Sequence, residues 1–285
     1  MSDQAEKLRK MLMEKYSKTA RTIAVVSGKG GVGKSNITVN SAISIAQRGK
    51  KVLVFDFDIG MGNIDVLLGI DSQNNISNYI KNNLSINDIV YTGPYNISYI
   101  SAGNGFAEVL ELDQTSIRRL LAELEDLQHL YDFIIFDMGA GATKTNLQVL
   151  LSVEDIIVIT TPEPTSITDA YSMMKYISIN APENNLFLIC NRSEREKEGK
   201  LTLERLQSAM KKFLNKDIHS LGILPEDSHV RKAVIRQEPF YSEFPHSPIS
   251  AKLEQIVQNY LGENKKYDLS QTNHFIRKLR SFFER

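Results

Sequence analysis

The run Gly28-Lys29-Gly30-Gly31-Val32-Gly33-Lys34-Ser35 has the spacing of a phosphate-binding loop, G-x-x-x-x-G-K-[ST]. Its glycines let the main chain wrap a phosphate, with N–H groups pointing inward at the start of a helix. In that pattern Lys34 reaches the β- and γ-phosphates of a nucleoside triphosphate and Ser35 offers its hydroxyl to Mg²⁺. A second cation, Lys29, follows the first glycine directly. One lysine suffices for a bound nucleotide, so the second points to a charge aimed elsewhere, at a neighbouring subunit's nucleotide.

Three carboxylates complete the chemistry. Asp137 ends the apolar run Phe133-Ile-Ile-Phe136 and precedes Met-Gly-Ala-Gly141. That is the form of a Walker-B acid, which holds Mg²⁺ directly or through water, beside glycines suited to a switch that senses the γ-phosphate. Asp56 and Asp58 sit two apart after another apolar run. Phosphoryl transfer to water needs a group that orients the nucleophile. Asp56, nearer the strand end, is placed for the metal region with Ser35 and Asp137; Asp58, further out, is placed for the water.

These residues need a scaffold that brings strand ends together. Short β-branched runs recur at Thr22–Ser27, Lys51–Asp56, Phe133–Asp137, Ile156–Thr160, Leu186–Cys190 and Ser220–Leu224, each reading as a strand buried on both faces. Amphipathic stretches at Gly33–Arg48, Gln114–His129, Ser166–Ile179 and Lys200–Phe213 read as the helices between them. The alternation predicts an α/β fold, a mostly parallel, doubly wound β-sheet flanked by helices. Ligands bind beyond the C-terminal ends of such strands, where the polar residues of this chain cluster.

Composition narrows the class. The 285 residues carry 34 Lys+Arg against 34 Asp+Glu, with 42% hydrophobic residues. Neutrality gives no ground for a whole-surface nucleic-acid binder. The single cysteine, Cys190, excludes an internal disulfide and a cysteine-rich metal site within one chain, and fits a reducing compartment. No apolar run is long enough to span a bilayer, so the expected location is cytoplasmic, with reversible attachment to the inner face of the cell membrane.

Taken together, Lys29-Gly-Gly-Val-Gly-Lys34-Ser35, Asp56-Phe-Asp58-Ile-Gly60, Asp137-Met-Gly-Ala-Gly141, Asn191-Arg192 and Gly222-Ile-Leu-Pro225-Glu226-Asp227 resemble the MinD/ParA family of deviant Walker-A ATPases, in that family's order and over residues 21–250. The resemblance implies an ATP- and Mg²⁺-dependent homodimer with two nucleotides at its interface. It implies that Lys29 crosses to the partner subunit's phosphates, that Asp58 positions the hydrolytic water, and that Asn191, Arg192, Pro225 and Glu226 contact the nucleotide. Glu163 and Asp169 match polar positions facing the dimer interface. Ser35-Asn36 and Asn63-Ile-Asp65-Val-Leu-Leu-Gly69 are similar to the branch of the family that regulates the number and placement of bacterial flagella. That branch implies flagellar switch or C-ring components as partners.

The ends of the chain extend this reading. Residues 1–20 read as a charged helix with Leu8, Met11, Leu12 and Tyr16 in a narrow apolar stripe. Asp3-Gln4-Ala5-Glu6-Lys7-Leu8-Arg9 is similar to that branch's activator motif, which implies that Asp3, Gln4, Leu8 and Arg9 stimulate the GTPase of FlhF, a signal-recognition-type protein. Residues 21–262 make the ATPase domain, and 263–285 a polar linker and last helix. There Phe275, Ile276, Leu279, Phe282 and Phe283 share one apolar face, with Arg277, Lys278, Arg280 and Arg285 on the other. A basic amphipathic helix with bulky rings suits an anionic membrane surface, and it also suits docking on its own domain.

Three rivals share the fold. A DNA-segregation ATPase wants a basic surface, for which Lys197, Lys200, Lys211 and Lys212 are the available patch. A division-site positioning ATPase would use the same switch. A metal-cluster enzyme needs cysteines that this chain lacks.

Overall fold

A computed structural model describes residues 19–58, 62, 64–70, 72–101, 114–139, 144–264 and 274–283. Eight strands form one sheet: β1 (Arg21–Val26), β2 (Val52–Phe57), β3 (Tyr91–Thr92), β4 (Ile97–Ser101), β5 (Phe133–Met138), β6 (Asp155–Thr160), β7 (Asn185–Ser193) and β8 (His219–Pro225). Their order is β3-β4-β2-β5-β1-β6-β7-β8. Only the β3–β4 pair is antiparallel. The described helices are α1 (Lys34–Ala46), α2 (Ile64–Leu68), α3 (Ile76–Asn82), α4 (Gln114–Leu130), α5 (Lys144–Ser152), α6 (Pro164–Asn180), α7 (Glu196–Leu214), α8 (Ser228–Arg236), α9 (Phe240–Glu243), α10 (Pro248–Asn264) and α11 (His274–Phe283).

The expected parallel, doubly wound sheet is present, and its central strands are buried throughout because helices cover both faces. Val52, Val54, Ile135, Ile23 and Val25 pack with α1, α2, α9 and α10 on one face. Leu53, Phe55, Phe57, Ile134, Phe136 and Met138 pack with α3 to α7 and α11 on the other. Because side chains alternate along a strand, Asp56 and Asp137 fall on the α1 face. They are register neighbours of β2 and β5. The short strands β3 and β4 add to the strands read from the sequence; β4 pairs with β2 on one side and β3 on the other.

The last helix joins the core in this structure. Phe275, Ile276 and Leu279 are buried, with the Phe275 ring centred 5.3 Å from that of Phe136 and tilted 36° to it. Phe282 and Phe283 are half-buried. The basic side is held by acids of the domain: Lys278 Nζ lies 2.8 Å from Glu183, and Arg280 lies 3.6 Å from Glu125. Of the two roles its pattern allowed, docking is the one realised here, because three rings of β2 and β5 offer it an aromatic berth. No helix among the described residues is long and apolar enough to cross a membrane.

Candidate nucleotide site

The glycine-spaced loop leaves the C-terminal end of β1 and enters α1. Gly28 to Gly31 form its exposed crest, while Val32 and Lys34 turn inward. Gly31 and Gly33 take φ of 77° and 92°, a left-handed backbone that favours glycine. Gly33 also abuts Asn191, whose Nδ2 would stand 2.5 Å from a Cβ there. Gly33 begins α1 without a side-chain cap, so the first-turn amides of α1, including those of Ser35 and Asn36, remain directed at the loop.

Lys34 Nζ donates to Asp137 Oδ1 at 2.8 Å, and Thr38 Oγ1 lies 3.2 Å from the same oxygen. Both partners of the ion pair are buried, with side-chain exposures of 8% and 1%. The second oxygen, Asp137 Oδ2, is buried and has no hydrogen-bond partner among the described residues. An ionised oxygen out of water calls for a cation or a donor. Such an oxygen suits Mg²⁺, an ion that takes one or two protein ligands plus phosphates and water, and Ser35 offers a hydroxyl from the first turn of α1.

Asp56 lies beside Asp137 but is bonded differently. Its Oδ1 accepts from the Asp58 amide at 3.0 Å and its Oδ2 from the Ile64 amide at 3.3 Å. Burial and the Asp137 charge push its carboxyl up to about 7, against the pull of the two amides and Lys34. The sequence groups Asp56 with the metal region; in the structure both of its oxygens accept main-chain amides. Asp58 is half-buried beside Gly139, where a Cβ would come within 2.8 Å of Asp58 Oδ1. Burial raises its carboxyl above the usual range, with Lys34 opposing.

The two lysines face different ways. Lys29 Nζ stays exposed and bonds Glu163 Oε2 at 2.8 Å, with Thr165 Oγ1 at 3.5 Å. That contact holds the Glu163 carboxyl below its ordinary value. Asp169 meets the loop through its backbone: a Cβ on Gly28 would stand 2.2 Å from its carbonyl carbon.

Asn191 and the Pro225-Glu226 turn close the site on the side of β7 and β8. Asn191 Nδ2 donates to the Val32 carbonyl at 2.7 Å, which ties the end of β7 to the phosphate-binding loop. Arg192 is exposed with φ 53°. The Glu226 amide donates to the Ser193 carbonyl at 3.1 Å. Asp227, which sequence reasoning quoted without a role, fixes the turn: its Oδ1 accepts from the His229 amide and its Oδ2 from the Ile249 amide. Asp227 is the N-cap of α8, and the preference of Asp for that position is the signal that could have found it. The Asp3, Gln4, Leu8 and Arg9 segment lies outside the described residues, as do Gly60, Asn63 and Gly141 of the quoted motifs.

A family model described as ParA, NUBPL iron-transfer P-loop NTPase, matches residues 18–261. The chain belongs to the ParA/MinD family of P-loop ATPases. The family's cofactors are ATP and Mg²⁺, in keeping with the donor set around Lys34, Ser35 and Asp137. Among relatives, the flagellum site-determining protein YlxH of Helicobacter pylori is 32% identical, over 90% of this chain and 90% of its own length. The antiactivator FleN of Pseudomonas aeruginosa is 29% identical, over 84% of this chain and 85% of its own. The septum site-determining protein MinD of Pyrococcus horikoshii, solved in complex with Mg-ADP, superposes with a TM-score of 0.71 at 27% identity, covering 86% of this chain and 98% of its own. The one thiol of the chain, Cys190, is buried, and burial pushes its pKa up to about 12.

Proposed function

We propose that this chain is a switch ATPase that sets the number and placement of bacterial flagella by pairing two subunits on ATP and binding the membrane as a pair. The observation that carries the switch is the separation of the two loop lysines, Lys34 buried against Asp137 and Lys29 exposed at the crest. The likeness to YlxH and FleN supports the flagellar assignment.

Lys34 leaves Asp137 Oδ1 for the β- and γ-phosphates, and the amides of Gly30 to Asn36 orient them. Ser35 and Asp137 would hold Mg²⁺, which would supply neutralisation of the phosphate charge. Asp58 holds the attacking water, so that ATP and water give ADP and phosphate. Lys29 leaves Glu163 for the neighbouring subunit's nucleotide, which makes pairing depend on ATP. Asn191, Arg192, Pro225 and Glu226 frame the base.

Pairing releases α11, whose Phe275, Ile276, Leu279, Phe282 and Phe283 enter an anionic bilayer while Arg277, Lys278 and Arg280 meet its headgroups. Two helices bind more tightly than one by avidity. The segment with Asp3, Gln4, Leu8 and Arg9 stimulates the FlhF GTPase, and flagellar switch or C-ring components are the cargo.

Size-exclusion chromatography with light scattering tests the cycle under ADP and under ATP, followed by sedimentation with anionic liposomes. A dimer with ATP alone, sedimenting with liposomes until residues 269–285 are deleted, is the expected result. A monomer in both nucleotides overturns the switch; undiminished sedimentation of the truncated chain overturns the role of α11.

A further inference from the structure

Two carboxylates side by side at adjacent strand ends would ordinarily be assigned the same task. Asp56 and Asp137 are register partners on one face of the sheet, and each is 1% exposed. Their bonding separates them. Asp137 keeps one oxygen unpartnered among the described residues. Asp56 has both oxygens accepting main-chain N–H groups, from Asp58 and from Ile64. These two amides bracket the segment that leaves β2 and enters α2. Gly62 closes over the same oxygen: a Cβ there would stand 2.8 Å from Asp56 Oδ2. A side chain at position 62 would crowd the Asp56 carboxylate, and one of the two would have to shift.

We infer that Asp56 is a positioning residue that fixes both ends of the Asp58 loop, and that it acts on hydrolysis through Asp58 rather than by holding Mg²⁺. The inference rests on the reading of Asp58 as the group that holds the attacking water. A carboxyl side chain offers two oxygens, each able to accept, which is how this residue type gathers two amide donors at once. Asparagine has nearly the same shape but only one acceptor, so Asp56→Asn turns an N–H group toward one of the two amides and leaves that amide buried without a partner. The Asp58 loop then loses one of its two ties while Asp137, Ser35 and Lys34 keep their places.

The full chain is compared with its Asp56→Asn, Gly62→Ala and doubly substituted forms. Turnover is measured across ATP and Mg²⁺ concentrations, and exchange of the Ile64 and Asp58 amides is followed in the nucleotide-free protein. For Asp56→Asn we expect kcat to fall roughly 10- to 100-fold, with the KM for ATP and the half-saturating Mg²⁺ each within about 3-fold of the parent. Exchange at one or both bracketing amides should speed by about 10-fold or more. Gly62→Ala, which leaves the carboxylate intact but crowds it, should reproduce this pattern, and the double substitution should add little because both act on one contact. A rise of about 10-fold or more in half-saturating Mg²⁺, with kcat restored at high Mg²⁺, would make Asp56 a metal ligand and overturn the inference. Unchanged exchange at both amides in Asp56→Asn overturns it as well. Full turnover by Asp58→Ala overturns the reading underneath, while amide exchange still reports the anchor by itself.

Discussion

Replacing Phe275 with alanine should undock the last helix without reaching the nucleotide site. The ring is 1% exposed and lies tilted, 5.3 Å from the Phe136 ring, in a berth that includes Phe55, Phe57, Leu120 and Val149. Truncating a buried phenylalanine costs about 3–5 kcal/mol, transfer and cavity terms together. All of that loss falls on the docked state, so the ratio of docked to free helix should drop by roughly 150- to 5,000-fold. The flanking ion pairs, Lys278 with Glu183 and Arg280 with Glu125, are half-open to water and offset little of this. Amide exchange reads the ratio directly: Ile276 to Leu279 should lose protection while Ile23 to Val25, in the centre of the sheet, keep theirs. Protection of α11 unchanged within about 10-fold would refute the docking energetics. An equal loss in β1 would mean that the helix unfolds only with the whole domain.

Four further outcomes follow from the site. Asp58→Ala should bind ATP and pair normally yet release phosphate at least about 100-fold more slowly, as phosphate-release kinetics would show. Lys29→Ala should abolish the ATP-dependent dimer in light scattering while single-chain nucleotide affinity by calorimetry stays within about 3-fold; its exposed contact with Glu163 carries little stability. Lys34→Ala should lower the unfolding free energy of the nucleotide-free protein by about 3–5 kcal/mol, because it strands the buried Asp137 charge; an unchanged denaturant midpoint would contradict this. Cys190 should resist alkylation at pH 8 until denaturant is added, since its thiol stays protonated far above that pH.

What the chain discloses in one dimension is what is local. Each central strand shows its own apolar run, and the loop from Gly28 to Ser35 shows its own spacing, so both could be read directly. Contacts between distant segments leave no such trace. Lys34 and Asp137 are 103 positions apart, and nothing in either motif says that they bond. Asn191 reaches the Val32 carbonyl across 159 positions. At the opposite end of the sheet, Arg21, Asn185 and Tyr260 converge on the fully buried Asp155, a knot that composition and periodicity do not announce. The berth of α11 was hidden for a related reason. Phe55, Phe57 and Phe136 read simply as core residues of buried strands, and only the fold reveals which helix they await.

The alternation along β2 and β5 has a consequence for how such a chain can change. Asp56 and Asp137 look toward α1, while Phe55, Phe57 and Phe136 look toward α11. A strand slipped by one residue turns every side chain to the opposite face. A single inserted residue early in β2 would therefore swing an aspartate into the aromatic berth and a phenylalanine into the phosphate site, one accident disabling two functions. Substitutions in these strands can be absorbed one face at a time; insertions and deletions cannot. The lengths of β2 and β5 should thus tolerate less drift than their residues, and natural length variation should gather in the loops beyond them.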